Sequence, residues 1–385
     1  MANNASAGLT VDNKSTPEGL DGVIAASTRL SLVDGEAGRL VIAGYAVEDI
    51  APKARFEELA YLLLNGRLAT EPELTKFSAE LAARRELPEA TLLVLGEAAR
   101  RSVPVIDALV MAVPTLLTSD GGDYQQSSLR LIAVLPTIVG SYWRLLKSQQ
   151  PVAARADLSH AAHYLYQVFG TEPAPERTRA LETYINTVCD HGFNASTFTA
   201  RVIISTHSDV ISAITGAIGA LKGPLHGGAP GPALDMVLEI GRADRAESVI
   251  RAKLAGGERL MGFGHRVYRV RDPRADVLAA AAEKFYQTGG DRDLYQLARD
   301  VELVALRVLA EQKPGRRLDT NVEFYTALLL HGLGLPSVLF TPTFAVGRVL
   351  GWTAHCLEQL RDGRLIRPQS RYIGPEHSSF VAGLN

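Results

Sequence analysis

Helical periodicity runs through almost the whole chain from Ala54 onward, and it constrains the fold more than any other feature. In the segment 54–66, apolar residues fall on one face of a helix, and Gly66 provides a C-terminal stop. The same spacing predicts further helices at 74–85, 88–101, 102–117, 125–147, 157–170, 175–191, 196–221, 233–241, 243–254, 273–288 and 294–311. Apolar density rises again from Val322 to Leu360. The sequence therefore predicts an all-α fold.

The segment 26–47 is the one part of the chain with a convincing β pattern. Short β-branched runs lie around Asp34, Gly35 and Gly38, which is typical of a small hairpin. Two apolar runs, at 103–117 and 129–146, are too short or too interrupted to span a bilayer. We expect both to be buried core helices.

Charge and cysteine content limit the partners of the chain. The formal net charge is −2, so there is no broad basic field, and we expect neither nucleic acid nor a membrane as a partner. Cys189 and Cys356 are the only cysteines, which excludes a disulfide framework and a zinc finger. The polar N-terminal arm has no basic-then-apolar signal pattern, and we expect a cytoplasmic protein.

The composition of the sequence changes near Lys222, where glycines and prolines become frequent. We expect a small helical domain at 226–327, inserted into a large domain formed by 1–225 and 328–385. The glycine-rich joints suggest that the two domains move relative to each other.

The segment MGFGHRVYRVRDPR at 261–274 has the strongest chemical signature. Gly262 and Gly264 set His265 on a tight bend, and Arg274 lies at the start of the next helix, where it can clamp a carboxylate. The third glycine of a dinucleotide fingerprint is missing, and no parallel strand precedes the segment, so that interpretation is rejected. Arginines beside an imidazole suit a small polyanion.

Two other segments place a histidine beside glycine. His191 precedes a glycine break in CDHGFNAST, where Asn194 or Ser196 can cap the following helix. His226 lies between glycines in GPLHGGA, just before a helix whose positive dipole end faces the loop. No Lys-Ser/Thr follows, which excludes a phosphate-binding P-loop.

The segment LDTNVEFY allows two interpretations of Glu323. Thr320 followed three residues later by Glu323 fits a capping box. A carboxylate at a helix start also suits a general base. Further on, Arg348 in an apolar helix needs an anionic partner, because an unpaired buried guanidinium is costly. His355 and Glu358 have the spacing of half a di-iron site, but a second copy is missing, so we expect no metal.

Taken together, these segments resemble the citrate synthase family over nearly the whole chain. The resemblance rests on GPLHGGA, GFGHRVYRVRDPR, TNVEFY and FAVGRVLGWTAHCLEQ…RPQSRY, which occur in the family's order and spacing. It implies an all-α homodimer in which a large and a small domain close over the active site.

The resemblance also implies a role for each candidate residue. Oxaloacetate would be bound by His191, His265, Arg274, Arg348 and Arg367, the last from the other subunit, with His265 polarising the ketone. Glu323 would remove a proton from the thioester methyl of acetyl-CoA, while His226 stabilises the enol. Phe344 would lie near the substrates, and Asn194 is a further candidate site residue. Arg269, Gly262 and Gly264 would contact CoA. The enol then attacks oxaloacetate and water hydrolyses the citryl thioester, without a metal or a cofactor.

One departure from the family pattern stands out. Glu323 occupies a position where the family usually has aspartate, and the extra methylene moves the carboxylate by roughly 1 Å, which can cost about a hundredfold in rate. Two alternatives remain beside a citrate synthase. One is a 2-methylcitrate synthase, which uses propionyl-CoA with the same residues. The other, supported only by Glu323, is a weakly catalytic paralogue that binds oxaloacetate or CoA.

Overall fold

The computed structural model describes residues 18–20, 22–117, 123–227, 230–265, 267–288 and 290–375. Within these ranges there are sixteen α-helices and three short strands, which confirms the all-α prediction. The N-terminal arm lies almost wholly outside the described residues. Four 3₁₀ segments occur at Glu18–Leu20, Val113–Leu116, Ala243–Arg245 and Ser337–Leu339.

The first half of the chain contributes eight helices. They are α1 (Val47–Ile50), α2 (Phe56–Asn65), α3 (Glu71–Ala82), α4 (Glu89–Arg100), α5 (Val105–Ala112), α6 (Tyr124–Leu146), α7 (His160–Phe169) and α8 (Pro175–Val188). The predicted stop of α2 is confirmed, because Gly66 takes a left-handed conformation there.

The second half contributes another eight. They are α9 (Ala195–Ile204), α10 (Val210–Leu221), α11 (Pro230–Ile240), α12 (Ala246–Ala255), α13 (Pro273–Thr288), α14 (Arg292–Gln312), α15 (Val322–Gly332) and α16 (Phe340–Asp362). Most predicted bounds agree within a few residues.

The prediction of a single helix over 196–221 is wrong, because the chain breaks between α9 and α10. His207 has a positive φ of 61°, and the Asp209 carboxylate accepts a hydrogen bond of 2.7 Å from the backbone N–H of Ser212. Asp209 therefore caps a new helix. Apolar periodicity on both sides of this short polar break hid the interruption.

The predicted hairpin is confirmed and has one more strand than expected. β1 (Ser31–Asp34), β2 (Arg39–Ile42) and β3 (Tyr45–Ala46) form an antiparallel sheet in the order β1-β2-β3. The Gly35 carbonyl of this sheet accepts a 2.8 Å hydrogen bond from the backbone N–H of Arg269. The sheet therefore supports the loop that follows His265.

The core is built around the most apolar helices. α6 packs on α7, and α16 packs against α6, α8, α9 and α10. By length and composition alone, α6 is apolar enough to cross a membrane, but 72% of its most apolar window is buried inside the protein, which is typical of a core helix. α13 packs on both α15 and α8. The division into domains at 226 and 327 stays a prediction.

Two buried histidines form a polar cluster inside this helical body. The backbone N–H of His160 donates to Glu57 at 2.8 Å, and the His160 ring stacks on Phe56. Both ring nitrogens of His160 and Nδ1 of His163 are buried without a hydrogen-bond partner among the described residues. Burial, with a contribution from the Arg85 charge, lowers the pKa of His163 to about 3 and that of His160 well below its ordinary value. Both imidazoles are therefore neutral in the folded state.

This cluster predicts that the protein loses stability in acid. Unfolded histidine takes up a proton near pH 6.5, whereas folded His163 does so only near pH 3, so stability falls as the pH drops from 6.5 towards 3. Each such histidine costs about 1.4 kcal/mol per pH unit in this window. Urea unfolding at pH 7.5 and 5.0 measures the loss, which should be smaller in His163→Gln. The same substitution at exposed His331 should leave the loss unchanged.

Candidate active site

A single cleft of about 1750 Å³ brings most of the predicted site residues together. Ten of the twelve candidates line it, namely His191, Asn194, His226, Gly262, Gly264, His265, Arg274, Glu323, Phe344 and Arg348. These residues come from segments up to about 150 positions apart in the sequence, so the fold itself assembles the site. The two candidates outside the cleft lining are Arg269 and Arg367, which are both exposed.

A short backbone pairing fixes the two most important loops against each other. The N–H of Gly264 donates to the Asp319 carbonyl at 2.8 Å, and the N–H of Asn321 donates to the Gly262 carbonyl at 2.9 Å. Gly262 and Gly264 have φ angles of 90° and 77°, a region that favours glycine. A Cβ on Gly262 would also lie only 3.0 Å from Phe324. The pairing therefore brings His265, which directly follows Gly264, next to the start of α15.

The protonation state of His265 follows from its backbone contacts. Its Nδ1 accepts hydrogen bonds from the N–H groups of Val267 (2.9 Å) and Tyr268 (3.0 Å), so the ring proton lies on Nε2. Nε2 lies 3.3 Å from Arg274 Nη2 and 3.9 Å from Asp272 Oδ2. Burial and the charge of Arg274 lower the pKa of His265 to about 4, although Asp272 opposes this. His265 is therefore a neutral hydrogen-bond donor.

His191 contacts both Tyr268 and His265. Its Nε2 is 3.1 Å from the Tyr268 hydroxyl, and its ring centroid is 6.0 Å from that of His265. Burial, with the charges of Arg274 and Arg348, lowers the pKa of His191 well below its ordinary value. Sequence reasoning missed Tyr268, whose ring contacts both imidazoles, with centroid distances of 5.6 Å to His191 and 4.9 Å to His265. Its position three residues after His265 in the same motif is the signal that marks it.

His226 is held by the start of α9. The Ser196 hydroxyl is 2.7 Å from His226 Nε2, and the Ser196 backbone N–H points at the same nitrogen from 3.4 Å. Ser196 Oγ also donates to Asn194 Oδ1 at 2.8 Å and accepts from Trp352 Nε1 at 3.0 Å, so Ser196 ties the imidazole to the start of α9 and to α16. Burial, with the charge of Arg348, lowers the pKa of His226 to about 4. Asn194 caps α9 by accepting from Thr197 N–H at 3.1 Å, as one of the sequence alternatives predicted.

Arg274 and Arg348, the two buried arginines of the cleft, differ in how their charge is balanced. Arg274 forms a bidentate pair with Asp272, with Nε–Oδ1 and Nη2–Oδ2 distances of 3.0 and 2.8 Å. Arg348 is 1% exposed and donates through Nε to the Val188 carbonyl at 2.6 Å, and it forms no ion pair with any described residue. Burial lowers the pKa of Arg348 to about 10, although the charge of Asp190 opposes this. The direct anionic partner expected for Arg348 is therefore missing from the described chain, and Asp190 compensates its charge only in part.

The capping-box interpretation of Glu323 is wrong. Asn321 caps α15 and accepts the Glu323 backbone N–H at 3.0 Å. The Thr320 hydroxyl instead donates to Glu302 at 2.7 Å. The Glu323 side chain is therefore not used for capping.

The Glu323 carboxylate has the environment of a general base. Part of the residue stays accessible in the cleft, but Oε2 is fully buried without a hydrogen-bond partner among the described residues. Burial raises the pKa of Glu323 to about 7, against the charge of Arg274 and assisted by that of Asp272. A carboxylate of this kind exchanges protons near neutral pH.

The remaining motif residues serve a structural network. His355 Nε2 contacts Asp190 at 3.1 Å, and Arg201 joins His355 and Glu358 at 2.9 and 2.7 Å. This buried network packs behind Phe193 of the cleft wall. In the described part of the chain there is no group of three or more His, Cys, Asp or Glu residues suited to a metal ion.

Sequence reasoning also missed three basic residues that line the cleft. Arg259, Lys313 and Arg316 line it, two of them just beyond the end of α14. Each is an ordinary surface cation when it is considered alone in the sequence. Only the fold places them together.

Comparisons with known proteins agree with this geometry. The family model described as "Citrate synthase, C-terminal domain" matches residues 19–369. The chain belongs to the citrate synthase family. A citrate synthase from Haloferax volcanii is 39% identical over 374 residues, which cover 94% of this chain and 97% of the relative. A 2-methylcitrate synthase from Mycobacterium tuberculosis is 38% identical over 376 residues, covering 95% and 93%.

Solved structures of the family have the same architecture. A citrate synthase from Thermoplasma acidophilum, solved with carboxymethyl coenzyme A and oxaloacetate, superposes with a TM-score of 0.84 at 31% identity, covering 95% of this chain and 98% of its own. Members of the citrate synthase family are transferases, and this chain is an enzyme of that type.

The pKa of Glu323 leads to a prediction about stability. A carboxyl with a raised folded pKa favours the folded state below the unfolded value of about 4.5, and this contribution is lost as the pH rises through about 7. We expect Glu323→Gln to be more stable than the wild type at pH 8 by about 1–3 kcal/mol, with a smaller difference at pH 5. Urea unfolding measures both values, with Glu86→Gln at an exposed position as the control. An equal effect at the two pH values would contradict the assignment.

Proposed function

We propose that this enzyme condenses acetyl-CoA with oxaloacetate and hydrolyses the product to citrate and CoA. The observation that carries the proposal is that one cleft holds a buried cation without an ion pair, Arg348, and a carboxylate with a buried, unpartnered oxygen, Glu323, among the described residues. A buried cation and a buried carboxylate without partners each lower the stability of the fold. Substrates that bind against Arg348 and Glu323 explain why both side chains are present.

Oxaloacetate fits the cationic half of the cleft. One carboxylate neutralises Arg348, and the other lies against Arg274 beside His191. The proton on His265 Nε2 donates to the ketone oxygen, which makes the ketone carbon more electrophilic. The ligands named for the Thermoplasma acidophilum structure support this choice of substrates.

The thioester reacts at the other half. Glu323 removes a proton from the carbon next to the thioester carbonyl, and an N–H of His226 donates a hydrogen bond to the carbonyl oxygen, which stabilises the enolate form of the enol. The nucleophilic carbon then bonds to the ketone carbon as the thioester carbonyl re-forms. The ketone oxygen becomes an alkoxide held by the N–H of His265 and takes the proton that Glu323 removed, which leaves Glu323 ionised again. Water cleaves the resulting citryl thioester to citrate and the free CoA thiol. Arginines and imidazoles carry the electrostatics, so no metal or cofactor is required by this scheme.

Arg259, Lys313 and Arg316, which line the cleft, suit the phosphates of CoA. Arg269, expected from the resemblance to contact CoA, stays a prediction, and so does a cytoplasmic location.

A 2-methylcitrate synthase is the second candidate. Relatives of both kinds have almost the same identity to this chain, 39% and 38%. The substrates differ by one methyl group, which is worth about 1–3 kcal/mol of discrimination in an apolar pocket.

Release of free CoA thiol tests the proposal directly. Purified protein is given oxaloacetate with acetyl-CoA and, separately, with propionyl-CoA. We expect faster turnover of acetyl-CoA, whereas a preference for propionyl-CoA would assign 2-methylcitrate synthase. Oxaloacetate binding without turnover of either thioester would indicate a binding paralogue. Glu323→Gln should lose at least about a hundredfold in kcat while it retains oxaloacetate affinity, because only the base is removed. Glu323→Asp is the matched variant that keeps the charge and shortens its reach.

We also propose a homodimer in which Arg367 completes the site of its partner. Arg367 is exposed on the segment after α16 and lies outside the cleft lining of its own chain. Arg367→Gln and Glu323→Gln should each be nearly inactive. Refolding them together in equal amounts should restore about a quarter of wild-type turnover, because half of the dimers are mixed and each has one intact site. No recovery in mixed dimers shown by mass to have formed would mean that Arg367 acts within its own chain or not at all.

A further inference from the structure

Glu302 is a buried carboxylate that three parts of the site share, although it is not among the residues that line the cleft. It lies in the middle of α14, with 2% of its side chain exposed. Oε1 accepts from the Thr320 hydroxyl at 2.7 Å and from Arg271 Nη1 at 3.0 Å. Oε2 accepts from the Tyr325 hydroxyl at 2.5 Å and from Arg299 Nη1 at 2.8 Å. All four donors converge on one side chain.

Three of these donors belong to segments that carry catalytic groups. Arg271 lies in the loop after His265. Thr320 directly precedes Asn321, which caps α15, and Tyr325 lies two residues after Glu323 on the same helix. Glu302 therefore ties the His265 loop to the beginning of the helix that presents the base.

The ionised form of Glu302 is maintained in spite of its burial. Burial favours the neutral acid, but the donors Tyr325 and Thr320 and the charge of Arg271 together hold the pKa of Glu302 below its ordinary value. An ionised carboxylate that accepts four hydrogen bonds is a rigid anchor, since charge-assisted hydrogen bonds are stronger than neutral ones.

We propose that Glu302 is a positioning residue, which sets the distance between Glu323 and the His265–Arg274 side of the cleft. The inference rests on the proposed function, in which Glu323 must reach a carbon-bound proton. Displacement of a catalytic group by about 1 Å costs about a hundredfold in rate. Glu302 acts through Thr320, Tyr325 and Arg271, without touching the substrate.

The test compares Glu302→Gln with Glu247→Gln. Glu247 is a matched control because it also bridges two arginines, Arg251 and Arg307, and one of these lies on α14. It is about half exposed and lies outside the cleft lining. We expect Glu302→Gln to lower kcat by about 10- to 100-fold with less than about a threefold change in either KM, and Glu247→Gln to change kcat less than about twofold.

A role confined to folding would not produce the following pattern. In a Glu323→Gln background, Glu302→Gln should lower the residual turnover by less than about twofold, because the residue through which it acts is already disabled. Losses that multiply in the double variant would overturn the proposal. Thr320→Val and Tyr325→Phe each remove one donor, and each should show the same selective loss of kcat on a smaller scale, which covers the case in which Glu302→Gln does not fold.

Infrared titration of the Glu323 carboxyl adds a readout that needs no turnover. The Glu323 band is identified by its loss in Glu323→Gln. The groups that act on it electrostatically are Arg274 and Asp272. In Glu302→Gln the midpoint should fall from about 7 towards the ordinary glutamate value, because a loosened helix start admits water. An inactive wild type would reject the proposed function, but the infrared midpoint of Glu323 would still test the positioning role of Glu302. A midpoint that does not move in Glu302→Gln would overturn that role.

Discussion

The backbone pairing between residues 262–264 and 319–321 is the contact on which the rest of the site depends. Its hydrogen bonds join a loop that carries the ketone-polarising candidate His265 to the helix start that carries Glu323. The glycine pair is required for a geometric reason, since both φ angles are positive and a side chain at Gly262 would press on Phe324. The two glycines of GFG are therefore required by the way in which residues 262–264 pair with residues 319–321.

The second constraint is electrostatic, and it lowers the stability of the fold in acid. His191, His226 and His265 are kept neutral mainly by burial. Neutral imidazoles carry hydrogen-bond donors to a substrate without adding positive charge, so the positive potential comes from Arg274 and Arg348. The imidazoles therefore supply hydrogen-bond donors, and the arginines supply positive charge. This arrangement lowers stability in acid, because these histidines bind protons in the unfolded state but stay neutral in the folded state.

Much of this organisation was predictable from the sequence. Periodicity gave the helices and the hairpin, and the order of motifs gave ten residues that the structure gathers in one cleft. The break at 205–209 was missed because the apolar pattern continues on both sides of it. Glu302 and the three basic residues of the cleft lining were missed for a different reason. Their importance comes from contacts between distant segments, and each is unremarkable in its local sequence. Tyr268 lies in the same motif as His265, but its contact with His191, 77 residues away, appears only in the fold.

The structure also bears on the glutamate at the position of the usual aspartate. A shift of the helix start would compensate for the longer side chain, but that start is fixed on two sides. Asn321 is tied to Gly262 through the backbone, and Thr320 and Tyr325 are tied to Glu302. The extra methylene must therefore be accommodated by the Glu323 side-chain torsions or by the depth at which the thioester binds. In the proposed reaction, shortening the Glu323 side chain to aspartate without either adjustment would place the carboxylate about 1 Å short of the proton that it removes.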